Sequence, residues 1–309
     1  MLIALTLLIL VGFSWTYNGI VMGGVSKYNV SIPLLQLISY LYALIIGLIL
    51  LFSGLYPPLS ASKDAALQAC ILYSLVGMLS FPLIVAMAKG MACGPNSLVW
   101  AILQSGMVIP FIYGICFHGV KAGAFRLFGM ALLLLAVPLM SVNRKSEEKK
   151  INGKSWVFFA LVAFLICGIQ QTFNNEPSYN DEIRLGVPVI HRCLLIYISN
   201  LVVATVMLFC PNHATVRKNL LIHLKNRHLW IYAIVLQSIT MASGLFLSFN
   251  AMDRMAKLDK GAISYPIMVI SCIMGFTLYS VIWLRERLTW QAITGLCCCI
   301  MGIVFLCIE

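Results

Sequence analysis

The chain has 309 residues, of which 61% are hydrophobic and 10% charged, and its mean hydropathy is +0.96. A soluble domain holds about 45–50% apolar and about 25% charged residues, so this composition excludes an ordinary water-soluble fold and describes a polytopic membrane protein. The net charge of +11 does not point to nucleic acid, because the 21 Lys and Arg lie mostly in short turns and form no basic stripe interleaved with aromatics.

Ten stretches are long enough to cross the roughly 30 Å hydrocarbon core as helices, at about 2–21, 33–54, 67–88, 95–117, 123–142, 155–173, 188–210, 229–251, 261–284 and 289–308. The first has the length of a signal peptide but no basic start and no A-x-A cleavage site, so it is expected to stay in the protein. Connections are short and punctuated by Gly23-Gly24, Pro57-Pro58, Gly94-Pro95 and Pro177. The one sizeable charge run, from Asn143 to Lys150, marks a charged hinge loop at 143–154 between a first half, 1–142, and a second half, 155–309.

The halves carry related sequences. Gly12-Phe13-Ser14-Trp15-Thr16-Tyr17-Asn18 reads again as Gly168-Ile169-Gln170-Gln171-Thr172-Phe173-Asn174, at an offset of 156. Ile32-Pro33-Leu34-Leu35-Gln36 matches Val187-Pro188-Val189-Ile190-His191, each with Pro at a helix start, where its missing N–H costs nothing. Ala86-Met87 matches Ala251-Met252, and Ser105 and Tyr113 match Ser271 and Tyr279. Five crossings per half make the second half enter the membrane from the opposite side. The expected fold class is therefore all-α integral membrane, with ten transmembrane helices in two inverted five-helix repeats and a solute site between them.

The ten acidic residues fall in turns or at helix ends, which argues against carboxylate-coupled proton exchange and leaves no acid–base pair or metal cluster for an enzyme. Eleven Cys, scattered without a CxxC pair, indicate neither a disulfide framework nor a zinc site. The sequence has no Gly-rich phosphate loop ending in Lys, so ATP-driven action by this chain alone is not expected, nor is any cofactor.

Neutral hydrogen-bonding capacity remains. Asn18 and Asn174, accompanied by Trp15, Tyr17, Gln170 and Gln171, need partners in hydrocarbon and serve either as glue between helices or as the lining of a passage. Asn96, Trp100, Gln104 and Ser105 share one helix stripe, which suits a polar metabolite or a sugar ring, or else an ordinary helix contact. Tyr265 stands near the repeat-related position of Trp100. His191 and Arg192 lie one turn inside an apolar stretch. Arg192 either snorkels to the interface or faces the cavity and grips a carboxylate or phosphate, with His191 as proton carrier. The expected substrate-binding set is thus Asn18, Trp100, Gln104, Gln171, Asn174, His191, Arg192 and Tyr265, converging near mid-membrane. His118, His213, His223 and His228 read as surface residues of turns. Gly295, Cys299 and Gly302 let the last helix pack closely, with Gly129 of the fifth stretch as partner.

The segment Trp283-Leu284-Arg285-Glu286-Arg287-Leu288-Thr289-Trp290-Gln291, followed by Gly295 and Gly302, resembles the end of an EamA-like half of the drug/metabolite transporter superfamily. Helix count and repeat order extend the resemblance over the whole chain. The first half departs from the motif, with His118-Gly119-Val120-Lys121 and no Glu at the equivalent turn. The resemblance implies a secondary transporter that moves a small organic solute (metabolite, sugar-like or amino-acid-like) by alternating access between inverted halves. Its partners would be that small-molecule substrate and the lipid bilayer, and its place the bacterial inner (plasma) membrane. A non-transporting sensor or assembly protein and a lipid-linked-sugar flippase are the alternatives. Lys and Arg number 13 in odd-numbered turns and 8 in even-numbered ones, which places the 143–154 loop in the cytoplasm, whereas the resemblance implies cytoplasmic termini.

Overall fold

The computed structural model describes residues 1–94, 96–141, 155–282 and 290–308. The expected hinge at 143–154 and the 283–289 part of the EamA-like motif lie outside the described residues. Every regular element among the described residues is helical: α1 Leu2–Lys27, α2 Ile32–Phe52, α3 Lys63–Cys93, α4 Asn96–Gln104, α5 Val108–His118, α6 Ala124–Ser141, α7 Ser155–Asn175, α8 Asp181–Gly186, α9 Val189–Phe209, α10 Ala214–Lys218, α11 Leu220–Leu224, α12 Arg227–Ala242, α13 Phe249–Ala256, α14 Ser264–Ile282 and α15 Trp290–Cys307. Seven spans are long and apolar enough to cross a membrane: Leu2–Val21, Ile32–Phe52, Lys63–Cys93, Ser155–Ser178, Val189–Phe209, Arg227–Ala256 and Gly261–Tyr279. Ile102–His118, Ala124–Val137 and Ile293–Leu306 are shorter apolar helices. The chain is all-α, and its long apolar helices fit an integral multi-pass membrane protein.

Local chemistry explains where helices start and stop. Ser62 caps α3 by accepting from the Ala65 N–H, and Asp64 complements the helix dipole in the first turn. Asn180 caps α8 and Asn226 caps α12 in the same way. Pro occupies the first turn of α2. α5 ends at Gly119, whose φ of +62° is left-handed and free of strain only for a residue without Cβ. Between α12 and α13 the backbone widens into a π-helical turn at Ser243–Ser248.

The outer faces are apolar. On α7, Phe158, Leu161 and Leu165 form an exposed stripe at helical spacing, as do Ile198, Val202, Val206 and Phe209 on α9. Such stripes are costly in water and neutral in lipid. α14 is the exception, with 83% of its span buried against 33–39% for the other spans, so it forms the spine of the bundle. It packs on α1, where Gly12 lies against the Met268 carbonyl, the Ser271 Cβ and the Cys272 backbone nitrogen. On the other side of the bundle, Gly168 of α7 lies against Gly106 at the α4–α5 junction. α6 pairs with α15, as expected from the small residues there, with Gly129 against the carbonyl of Gly302. α3 packs on α7 and α9, α2 on α9 and α12, and α1 on the α12–α13 region.

One face, here called lower, gathers Ala61 against Gly186 and Ser178 against Gly261. The opposite, upper face joins Tyr28 to Asn226 and Gly94 to Trp156.

Candidate functional site

A cavity of about 270 Å³ lies inside the bundle, between α1, α2, α3, α4, α7, α12 and the start of α14. Six of the eight residues expected to bind substrate line it: Asn18, Trp100, Gln104, Gln171, Asn174 and Tyr265. Asn96 shares a helix with Trp100, but its side chain lies outside the described set. Three further amides complete the lining, Gln36, Gln170 and Gln237, together with Ser39, Ser80, Thr240 and Tyr40. No Asp, Glu, Lys, Arg or His is found among the described lining residues.

The amides divide into those already bonded and those with spare capacity. Gln170 Nε2 donates to the Val76 carbonyl (2.6 Å) and to Ser80 Oγ (2.9 Å), tying α7 to α3. Gln104 Nε2 reaches Cys272 Sγ at 3.6 Å and Gln171 Nε2 reaches Cys167 Sγ at 3.2 Å; sulfur is a weak acceptor in both cases. In contrast, Gln36 Oε1, Gln171 Oε1, Gln237 Nε2, Trp100 Nε1 and Asn174 Oδ1 are shielded from water and have no protein partner. Gln36, Gln171, Gln237 and Trp100 are 2%, 5%, 3% and 8% exposed, and Asn174 is half-buried. An unmet buried hydrogen-bonding group costs about 1–3 kcal/mol, so five around one cavity suit something polar that supplies both acceptors and donors. Trp100, stacked on Phe276 with ring centroids 6.4 Å apart, and Trp15, tilted against Tyr265 at 6.1 Å, furnish aromatic walls.

The expectation for Arg192 and His191 is overturned. Arg192 is 1% exposed and neither snorkels nor lines the cavity. Nε donates to the Val187 carbonyl (2.8 Å), Nη2 to those of Ile183 (3.2 Å) and Arg184 (2.6 Å), and Nη1 pairs with Asp253 at 3.3 Å. The ring of Phe249 lies 5.7 Å from the guanidinium carbon. All three nitrogens are therefore spent on joining α8, α9 and α13. His191 is half-buried one turn into α9, away from the cavity lining, with Nδ1 buried and unpaired. The reason is geometric: α9 begins at the lower face, where the bundle is filled by Leu194, Leu245 and Phe249.

The histidines assigned to plain surface turns also differ. His118 stacks on Tyr179 at 4.1 Å and its Nε2 lies 3.5 Å from Glu176, while His228 stacks on Tyr28 at 4.0 Å. Burial and then the Glu176 charge push the Tyr179 phenol well above its usual range, so it stays protonated.

Gln36 and Gln237 were within reach of sequence reasoning, because the penalty that singled out Asn18 applies to any amide in an apolar stretch. Gln36 entered the repeat comparison only as the counterpart of His191.

The sequence matches no protein-family model and no curated protein. Its fold does have solved counterparts: one, described as a crystal structure of a protein, matches with a TM-score of 0.59 over 96% of this chain and 95% of its own, at 11% identity. A likeness at that identity concerns the fold alone.

Proposed function

We propose that this chain is a secondary transporter of an uncharged, polar organic solute, built as ten membrane crossings in two inverted five-helix halves and similar to the EamA-like transporters. The observation that carries the reading is the ring of five unpaired buried polar atoms around one cavity, with no charged residue among its described lining. A solute with net charge finds no counter-ion there, whereas a neutral one with hydroxyl, amide or ring-nitrogen groups meets both donors and acceptors.

The helix pairings support the inverted duplication. Exchanging the halves turns α3–α7 packing into that of the α12–α13 region on α1, α1–α14 into α7 on α4–α5, and α3–α9 into α12–α2. The α2–α9 and α6–α15 pairs map onto themselves. The close contacts of Gly12 and Gly168 obey the same exchange. The interior does not: Ile84 and Met87 line the cavity, while their counterparts Phe249 and Met252 are buried in packed core. In the proposed cycle this asymmetry is one of two states, and the other opens the lower half and closes the upper.

The test combines binding and exchange. Purified protein is melted against uncharged, anionic and cationic metabolites, and any stabilising compound is tested for counterflow in proteoliposomes. An uncharged polar compound is expected to raise the melting temperature, with Gln171→Leu and Gln237→Leu each weakening it about tenfold through loss of one partner, about 1–1.5 kcal/mol. Stabilisation by charged compounds alone, or undiminished binding in both variants, rejects the cavity as the site. Binding without counterflow makes the protein a sensor.

A further inference from the structure

We infer that the lower face carries a second binding site, for a phosphate group. A cleft of about 830 Å³ opens between the α5–α6 turn, the segment 178–184 and the turn 256–261. Lys121, Arg126, Arg184 and Lys257 line it, four permanent cations against the carboxylates of Asp181 and Asp259 among its described residues. It shares no lining residue with the central cavity, and the inference is independent of the transport reading.

Cations that serve only to set membrane topology stay solvated, and two of these do not. The Arg184 side chain is 10% exposed, and Arg126 is half-buried. Each guanidinium has five N–H donors, yet Arg184 has its one ion pair with Asp181 (2.6 Å) and Arg126 donates to the Lys121 carbonyl (2.9 Å). Nε of both is shut off from water and has no acceptor. Half-buried, under-satisfied guanidinium groups are costly, and an anion seated against their outer edges offsets that cost.

The arrangement is held firmly. The carbonyl of Arg184 accepts from the buried Arg192, and the His118–Tyr179 stack forms another part of the wall. α6 starts at the cleft rim with no acidic residue in its first turn, so its dipole adds positive potential. Two planar forks and two ammonium groups from separate segments match a multiply charged cluster of oxygens better than a single carboxylate. The cleft is far larger than an inorganic ion, so the phosphate is part of a larger molecule. Its source is either a soluble phosphomonoester or an anionic phospholipid headgroup.

The experiment follows melting of the full chain in uncharged detergent. One arm titrates glycerol 3-phosphate against glycerol, and the other phosphatidylglycerol against phosphatidylcholine in mixed micelles. Saturable stabilisation is expected in one phosphate arm, weakening as salt is raised. A response to glycerol 3-phosphate identifies a soluble ligand, and a response to phosphatidylglycerol alone identifies a headgroup. Affinity is expected to fall at least about tenfold in Arg126→Gln and in the double variant Lys121→Gln/Lys257→Gln, whose lysines are exposed and whose folding is not at risk. No saturable response in either arm, or equal affinity in the parent and both variants, overturns the site.

Discussion

Arg192 spends all three guanidinium nitrogens inside the protein, and its partner Asp253 lies 61 residues further along the chain. Removing one member of such a buried pair costs about 3–5 kcal/mol, because the other charge and the carbonyls are left without partners. Arg192→Gln is therefore expected to lower the melting temperature sharply. Asp253→Asn is expected to cost less, because three carbonyls still hold the guanidinium. Ligand affinity per folded molecule should change little in either variant, since neither residue touches the cavity. An Arg192→Gln protein that melts with the parent, or that folds normally but loses ligand affinity, would remove the pinning role. Sequence alone shows an Arg in an apolar stretch and leaves its direction open, because that direction depends on a partner supplied by the fold. The amides behaved differently. Asn18, Gln104, Gln171 and Asn174 were legible as interior groups because the penalty for a bare amide in hydrocarbon belongs to the residue itself.

Between helices, the α6–α15 pair shows how composition translates into packing. Lipid gives helices no hydrophobic reason to associate, so close approach through small residues supplies the attraction. A Cβ on Gly129 would stand 2.8 Å from the Gly302 carbonyl oxygen and 2.9 Å from the Leu306 nitrogen, both backbone atoms that cannot turn aside. Gly129→Ala should therefore separate the two helices and cost about 1–3 kcal/mol, as overpacking does. Gly244→Ala, whose Cβ would meet nothing closer than Cys193 Sγ at 3.9 Å, should be neutral or slightly stabilising. Thermal melts of the two variants side by side decide the matter, and equal melting would show that the α6–α15 seam is looser than described. The small-residue spacing in 295–302 was readable in the sequence, and so was its partner at Gly129. The π-helical turn at Ser243–Ser248 was not, because an extra residue in a helical turn leaves the apolar pattern around it nearly unchanged.

At the scale of the whole molecule, the basic cleft lies on the lower face, so membrane orientation decides which compartment it samples. The excess of Lys and Arg in the odd-numbered turns, 13 against 8, predicts that the upper face is cytoplasmic. A cytoplasm-active reporter placed after Asn152 should then be active and a periplasm-active one silent; the reverse pattern would put the cleft and both chain ends in the cytoplasm. Composition and hydropathy determined by themselves that this chain is helical and suited to a membrane, since apolar length and unmet backbone hydrogen bonds leave few alternatives in hydrocarbon. The same one-residue penalties singled out five of the seven amides that line the cavity. Only the tertiary structure decided what depends on pairs of distant residues: that Arg192 turns to Asp253, that Gln36 and Gln237 join the lining, and that Met87 lines the cavity while Met252 is packed in the core. These outcomes follow from which helices meet and at what depth, which no local pattern along the chain encodes.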